Sequence, residues 1–389
     1  MDSNAFRFLI LDANQRSALA VTRALGKHFP CSRVETAESR SDALAGASKY
    51  SKAQWTYPDT AVQPREFVNW LRKHCEGNRY DLILPMTEIT CQLILLHNEL
   101  AHLPVALAPI DTVMKIANKA NLVKLAIKND IPVPKSQYFE NASQLQVDNL
   151  AFPCVLKPAL SKIFTGSSWI STTVQIVKSL HHLEQILDQE AYLHEYPFMI
   201  QEYIPGHGAG LFCLYNQGEP VQFFAHQRLR EKPPEGGVSV LSQSADVDET
   251  QKNIAVRLLN EAKWHGVAMV EFRVSSDGTP YLMEVNTRFW GSLQLAIDSD
   301  VNFPVQLVSI MLGIPFKTVE SYRKQQQLRW LLGDLDSLYI YLKRKHSIRD
   351  KMHRAMSFLL PRFNRRKHEV NRTGDFRPFL RELKQYFSG

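Results

Sequence analysis

The sequence predicts an N-terminal parallel α/β unit, then an α+β region, then a basic and mainly helical extension. Three observations carry this fold class. Apolar runs at residues 6–11 (FRFLIL) and 80–85 (YDLILP) bracket a helix-patterned stretch at 16–28, the alternation that builds a parallel sheet. Between about 152 and 289, period-two alternation and turn residues describe antiparallel hairpins. Residues 341–389 hold 14 Lys and Arg against 4 Asp and Glu, in helical spacing.

The turn after the first strand reads DANQRS and is not glycine-rich, so a dinucleotide fingerprint is absent and a Rossmann dehydrogenase is disfavoured. One helix is expected over 111–129, capped by Asp111 and stopped ahead of the IPVP segment at 131–134, a natural joint. Strand signals follow at 152–157, 170–177, 198–203 and 211–215, with helices near 179–189 and 250–264 and a strand pair between 267 and 289.

At 389 residues the chain has room for two or three domains, and 44% hydrophobic with 22% charged residues is ordinary for a folded globular protein. The net +7 resides in the tail: residues 341–389 sum to +10 and the other 340 to −3. The five cysteines are scattered without a zinc pattern and read as reduced thiols, which fits the cytoplasm. The first residues lack the basic flank and cleavage site of a signal peptide, and polar residues interrupt the apolar region 301–316, so no membrane span is expected.

The segment GVAMVEFRVSSDGTPYLMEVNTRFWGS is the most informative. Asp277-Gly278 is a hairpin turn signal. With Ser276 opposite Thr279, Glu271 falls opposite Glu284, and alternation adds Asn286 and Arg288 to the same face. Directly opposed carboxylates repel. Magnesium, or manganese in its stead, would compensate through oxygen ligands while leaving room for phosphate, with Arg288 as a phosphate clamp. The plainer alternative is a solvated hairpin face neutralised by Arg273 or Arg288.

Lys157 lies inside an apolar strand (FPCVLKP), where a buried ammonium needs an anion such as a nucleotide phosphate; a snorkelling strand-end lysine is the alternative. Lys119, on a helix with Lys115 and Lys124, is weaker evidence by itself. The loop SKIFTGSS (161–168) presents Gly166 and Ser167, whose backbone N–H groups could close over phosphates, although it is not a Walker loop. In FMIQEYIPG, Glu202, Tyr203 and Ile204 end a strand where backbone groups can meet a purine edge; a plain strand end is the competing reading. Thr87 and Glu88 follow the ILP strand at an expected interdomain crevice, or form a helix cap.

Lys119, the VLKP strand at Lys157, QEYIPG at Gln201 and the spacing from Glu271 to MEVNTRFWGS together resemble the ATP-grasp superfamily over residues 112–310. The RFWGS sequence, and HQRLREKPPEGGVSV at 226–240, resemble its carbamoyl-phosphate-synthase-like carboxylate-amine ligases. The resemblance implies a pre-ATP-grasp domain at 1–111 and a two-lobed ATP-grasp domain at 112–318, with a lid at about 112–203 and a metal-binding lobe at about 204–318. The extension would occupy 319–389. It further implies ATP phosphates on Lys119 and Lys157, adenine at Glu202, Tyr203 and Ile204, and magnesium on Glu271, Glu284 and Asn286. Arg288 would contact the transferred phosphate, and Arg228, Arg230 and Glu231 the acyl acceptor or γ-phosphate. The implied activity joins small-molecule carboxylate and amine substrates (or a thiol acceptor) through an acyl phosphate, with release of ADP and phosphate. Two departures stand out. His207 follows Gly206 where relatives carry an acid for the ribose, and Asn118 precedes Lys119 where Asp is common.

Two other functions fit the same residues: a non-catalytic ATP-binding regulator or scaffold, and an ATP-dependent kinase on the same fold. In the tail, residues 347–360 set Ile348, Met352, Met356 and Leu359 on one helical face with Arg349, Lys351, His353 and Arg354 around the other. Packing of that stripe on the core is the expected arrangement. The sharper alternative is docking on an anionic membrane surface or lipid-linked precursor at the inner face of the membrane. Nucleic acid is disfavoured, because Phe358, Phe363 and Phe376 suit core packing.

Overall fold

The computed structural model describes residues 5–147, 150–234, 236–360 and 365–388; Phe363 lies outside them. Phe8, Leu9 and Ile10 are fully buried, as a strand covered on both faces must be. They form β1 (Arg7–Ile10), which lies in a parallel sheet with β2 (Arg33–Glu38), β3 (Ala53–Thr56) and β4 (Leu82–Leu84), in the order β3-β2-β1-β4. Helix α1 (Arg16–His28) covers one face through Leu19 and Leu25, and α2 (Pro64–Gly77) the other through Phe67 and Leu71. After β1 the chain turns at Asp12, in the left-handed region with φ 56°. The Asp12 carboxylate accepts from the backbone N–H groups of Met86 (2.8 Å) and Thr87 (2.7 Å) and from Thr90 Oγ1 (2.6 Å), which fixes the ends of β1 and β4 side by side. Thr87 caps α3 (Glu88–Leu96), accepting from the Thr90 N–H.

The single helix expected at 111–129 is two. α4 (Ile110–Ala117) stops at Asn118, whose side-chain oxygen accepts from the N–H groups of Ala120 and Asn121 and caps α5 (Lys119–Lys128). The amide competes with the backbone for those donors and starts a new helix. Asp111 is therefore an interior first-turn residue, and Lys119 becomes the first residue of α5.

An antiparallel sheet of order β5-β10-β6-β9 follows, from β5 (Ser136–Phe139), β6 (Cys154–Pro158), β9 (Gln175–Val177) and β10 (Phe198–Glu202), covered by α6 (Leu180–Gln189). Between β6 and β9, β7 (Lys162–Phe164) and β8 (Trp169–Ser171) pair as a separate hairpin. Phe164 and Trp169 lean on the first unit, with the Phe164 ring 6.2 Å from that of His97.

The largest sheet has the order β15-β14-β11-β12-β13-β16-β17. Its strands are β11 (His207–Asn216), β12 (Glu219–Lys232), β13 (Val238–Ala245), β14 (Gly266–Val274), β15 (Pro280–Asn286), β16 (Gln327–Arg329) and β17 (Arg366–His368). Alternation sorts its residues between two cores. Leu211, Cys213, Val270 and Phe272 pack with α4, α5 and α7 (Glu249–Glu261), whereas Phe212, Phe224, Val267 and Met269 pack with α1, α8 (Leu293–Asp298) and α9 (Phe303–Leu312).

The extension adds α10 (Leu331–Lys343), α11 (Ile348–Leu359) and α12 (Arg377–Ser388). Here the expected packing is reversed. Ile348 is 78% exposed, Met352 64%, Met356 53% and Leu359 70%. The side of α11 with Arg354, Ser357 and Phe358 faces the protein instead, because Asp334, fully buried on α10, takes charged hydrogen bonds from Arg230, Arg329 and Arg354, each at 2.8 Å, while Arg349 and His353 stay exposed. Among the described residues no helix is long and apolar enough to cross a membrane, and all five cysteines are unpaired.

Candidate active site

Glu271 pairs directly with Glu284 across β14 and β15, as expected, but through a different register near the turn. The turn closes Ser275 on Thr279, with the Ser275 N–H donating to the Thr279 carbonyl at 3.1 Å, so the connecting loop has three residues and Gly278 sits at φ 88°. That closure would bring Met283, not Glu284, opposite Glu271. A β-bulge at Met283 restores the pairing, since Phe272 faces Leu282 and Glu271 faces Glu284. An extra residue on one strand flips the alternation beyond it, so Leu282 and Val285 enter the core while Glu284 and Asn286 join Glu271.

The Asn286 amide donates to Glu271 Oε1 at 3.0 Å and to Glu284 Oε1 at 3.4 Å. Arg228 Nη2 reaches Glu271 Oε2 at 3.1 Å. Burial and the neighbouring Glu284 carboxylate push the Glu271 carboxyl above its ordinary value, against the pull of Arg228. Lys119 Nζ lies 3.6 Å from Glu284 Oε2 and donates to Ser161 Oγ at 2.9 Å; its backbone N–H bonds to the Ala159 carbonyl at 2.9 Å, which the Asn118 cap makes possible. Lys157 Nζ sits against Met283 Sδ at 3.4 Å. Burial lowers its pKa to about 8, partly offset by Glu284. Two lysines from different elements thus converge on the paired carboxylates.

Among the described residues no three His, Cys, Asp or Glu side chains gather as a metal cluster. The donor set is two carboxylates and one amide, hard oxygens suited to magnesium with further positions left for phosphate and water. The Asn286 NH2 group bridges the repelling carboxylates, and rotating the amide would turn its oxygen toward an ion.

Other expected residues are placed differently. Arg228 and Arg230 share a face only in a regular strand, and β12 carries a bulge at Leu229. Arg230 therefore turns to Asp334 and to the carbonyl and hydroxyl of Ser357, tying β12 to the tail, and is not brought to the carboxylates. Gly166 and Ser167 are exposed at the β7–β8 tip, closed by bonds between Thr165 and Ser168. The residues of that segment that face Lys119 and the neighbouring cavity are Ser161 and Lys162. Glu202 ends β10 and is exposed, Tyr203 is partly exposed, and the Ile204 carbonyl accepts from Arg273 Nε at 3.1 Å. Gly206, at φ 147°, has the Val274 carbonyl 1.9 Å from where a Cβ would stand, so only glycine lets this turn cross the end of β14.

Arg288 lies beyond β15 and opens into a cavity of about 370 Å³ against the C-terminal edge of the parallel sheet, lined also by Asp12, Glu38, Thr87, Glu88 and Lys162. This is the crevice expected at Thr87 and Glu88, and both expectations for the pair hold, since Thr87 is also a cap. Burial raises the Glu88 carboxyl above its ordinary value, opposed by Arg288 and Lys119. Sequence patterns could not single out Ser161, Lys162 or Glu38, because Glu38 ends β2 while Ser161 and Lys162 open the β7–β8 hairpin, and only the fold brings them to the site.

Residues 194–333 match the family described as ATP-grasp in the biosynthetic pathway with Ter operon. Comparison with curated proteins gives no sequence match. Among solved structures, the biotin carboxylase complex from Campylobacter jejuni is similar at TM-score 0.64 and 14% identity, covering 84% of this chain and 75% of that one. An L-amino acid ligase from Bacillus licheniformis is similar at TM-score 0.60 and 17% identity, covering 80% and 75%. N5-carboxyaminoimidazole ribonucleotide synthetase from Thermotoga maritima is similar at TM-score 0.57 and 16% identity, covering 81% and 78%. At such identities the likeness is one of fold, and the stretch that matches the ATP-grasp family, residues 194–333, contains the hairpin.

Proposed function

We propose that the protein is an ADP-forming carboxylate-amine ligase of the carbamoyl-phosphate-synthase-like subgroup, activating its carboxylate substrate as an acyl phosphate. The observation that carries this reading is the convergence of Lys119 and Lys157 on the Glu271–Glu284 pair. Lys119 and Lys157 hold the ATP phosphates, and the strand end at Glu202, Tyr203 and Ile204 takes the adenine. The β7–β8 hairpin, with Gly166 and Ser167 at its tip, closes over the nucleotide as part of a lid.

Glu271, Glu284 and Asn286 hold magnesium, or manganese, which when bound supplies positive charge against the phosphate oxygens. Arg288 orients the carboxylate substrate at the mouth of the 370 Å³ cavity. A carboxylate oxygen attacks the γ-phosphorus in line and ADP leaves. The amine then attacks the acyl carbon, the C–N bond forms, and inorganic phosphate departs with the former carboxylate oxygen. Glu88 beside Arg288 takes the proton lost by the amine. Arg228, held by Glu271 and Glu231, stabilises charge on the transferring group.

Incubation with ATP, magnesium and pooled carboxylates and amines should release ADP and phosphate, with mass spectrometry finding an amide. Release that survives in Glu284→Gln, or no release with any pool, overturns the reading. Tight ATP binding without turnover would instead identify a regulator. A phosphorylated alcohol without an amide would identify a kinase, and a thioester would replace the amine by a thiol.

A further inference from the structure

A second cavity, of about 380 Å³, lies where the far end of α1 meets the tail, and it shares no residue with the crevice at Arg288. Its lining is dominated by cations: Arg23 and Lys27 from α1, Lys49 from the loop before β3, and Lys367 and Arg372 from the tail.

The acids nearby are already engaged in the wall. Asp375 accepts from Arg23 Nε (2.7 Å), Ser48 Oγ (2.8 Å) and the Lys49 backbone N–H (2.9 Å). Asp298 takes both terminal nitrogens of Arg372, at 2.8 and 2.5 Å, with Lys367 at 3.7 Å. Arg23 is 3% exposed and also donates to the carbonyls of Glu369, Val370 and Asp375, so its position is fixed. This is a built wall, with its charges held in place by the fold.

What the wall leaves over is positive. Among the described residues neither Lys27 nor Lys49 has a carboxylate at ion-pair distance; both ammonium groups stand near the Tyr50 ring, at 6.0 and 5.2 Å from its centre. The buried Nε–H of Arg372 has no acceptor. Although exposed to solvent over much of its surface, Lys27 is partly desolvated by the cavity wall, which together with Arg372 and Arg23 holds it below its ordinary pKa against the attraction of Asp298 and Asp375. Converging cations of this number carry a repulsive cost that a bound anion would relieve. A cavity of this size takes a small molecule rather than a polymer.

The geometry points to an anion site between α1 and the tail, taking a small soluble molecule that bears a phosphate or diphosphate group on Lys27, Lys49, Lys367 and Arg372. The ligand would bridge the first unit and the extension, so its binding tightens the attachment of the tail.

The test uses the full chain and inorganic pyrophosphate without divalent metal, followed by calorimetric titration and by thermal melting. Lys157→Met, in the cleft, separates this site from the nucleotide phosphates. The expected result is a binding event that persists in Lys157→Met and weakens at least about tenfold in Lys27→Gln/Lys49→Gln. Both lysines are exposed, so that variant should fold; equal melting temperatures without ligand check it. Thr373→Glu, at another exposed lining position, should give the same loss by adding a negative charge. The inference is overturned if the double lysine variant and Thr373→Glu bind as the wild type does, if Lys157→Met abolishes all binding, or if the wild type binds no pyrophosphate up to about 10 mM.

Discussion

Glu271 and Glu284 oppose each other across the hairpin with the Asn286 amide bridging their carboxylates. Burial, and then the Glu284 carboxylate, raise the Glu271 carboxyl above its ordinary value despite Arg228. Just above the ordinary carboxylate value the folded protein therefore binds more proton there than the unfolded chain does. Ion-free stability should fall as pH rises upward from the ordinary carboxylate value of 4.5. Melting curves should show this slope flattened in Glu271→Gln. Magnesium should raise the melting temperature of the wild type and leave that of Glu271→Gln unmoved.

Lys157 carries the opposite sign. Its pKa falls to about 8 from 10.5, so between those values the unfolded chain holds the proton and the folded one does not. Its contribution to ion-free stability should rise with pH through that window. Bound phosphates restore the charge. Calorimetry of ATP binding near pH 8.5 in buffers of different ionisation enthalpy should report proton uptake, and Lys157→Met should abolish the uptake and weaken ATP binding by about tenfold or more.

Asp334 is a buried carboxylate shared by Arg230, Arg329 and Arg354. Asp334→Ala leaves those guanidinium groups without their common anion, a loss of about 3–5 kcal/mol by the usual cost of breaking a buried pair. Urea unfolding would measure it. A change below about 1 kcal/mol would mean that the tail is not held through this hub.

Gly206→Ala meets the Val274 carbonyl in a backbone region that favours glycine. We expect a loss of more than about 1 kcal/mol, accompanied by weaker ATP binding, since Tyr203 and Ile204 lie three and two residues away. Unchanged affinity in a folded variant would detach this turn from the nucleotide.

The uncovered stripe of α11 bears Ile348, Met352, Met356 and Leu359, beside Arg349 and Lys351. Were this stripe to dock on anionic lipid, vesicles rich in phosphatidylserine would sediment the wild type more than Ile348→Gln/Leu359→Gln. Equal sedimentation would remove the membrane from consideration.

By itself the sequence determined what alternation and local chemistry encode. Helix α1 begins and ends where its apolar spacing says it should; Glu271, Glu284 and Asn286 were legible from the turn and the alternation of the hairpin and Lys157 from its place inside an apolar strand, whereas Lys119 was legible only through the family resemblance. The tertiary structure decided everything that depends on a single displaced residue or a distant partner. Asn118 split one expected helix into two, a competition between side chain and backbone that periodicity does not register. The bulge at Leu229 turned Arg230 away toward Asp334, over a hundred positions along the chain. Even the opposition of Glu271 and Glu284 came from the bulge at Met283 and a three-residue turn, since side-chain direction reverses with each residue and only the assembled sheet fixes where an extra one is absorbed.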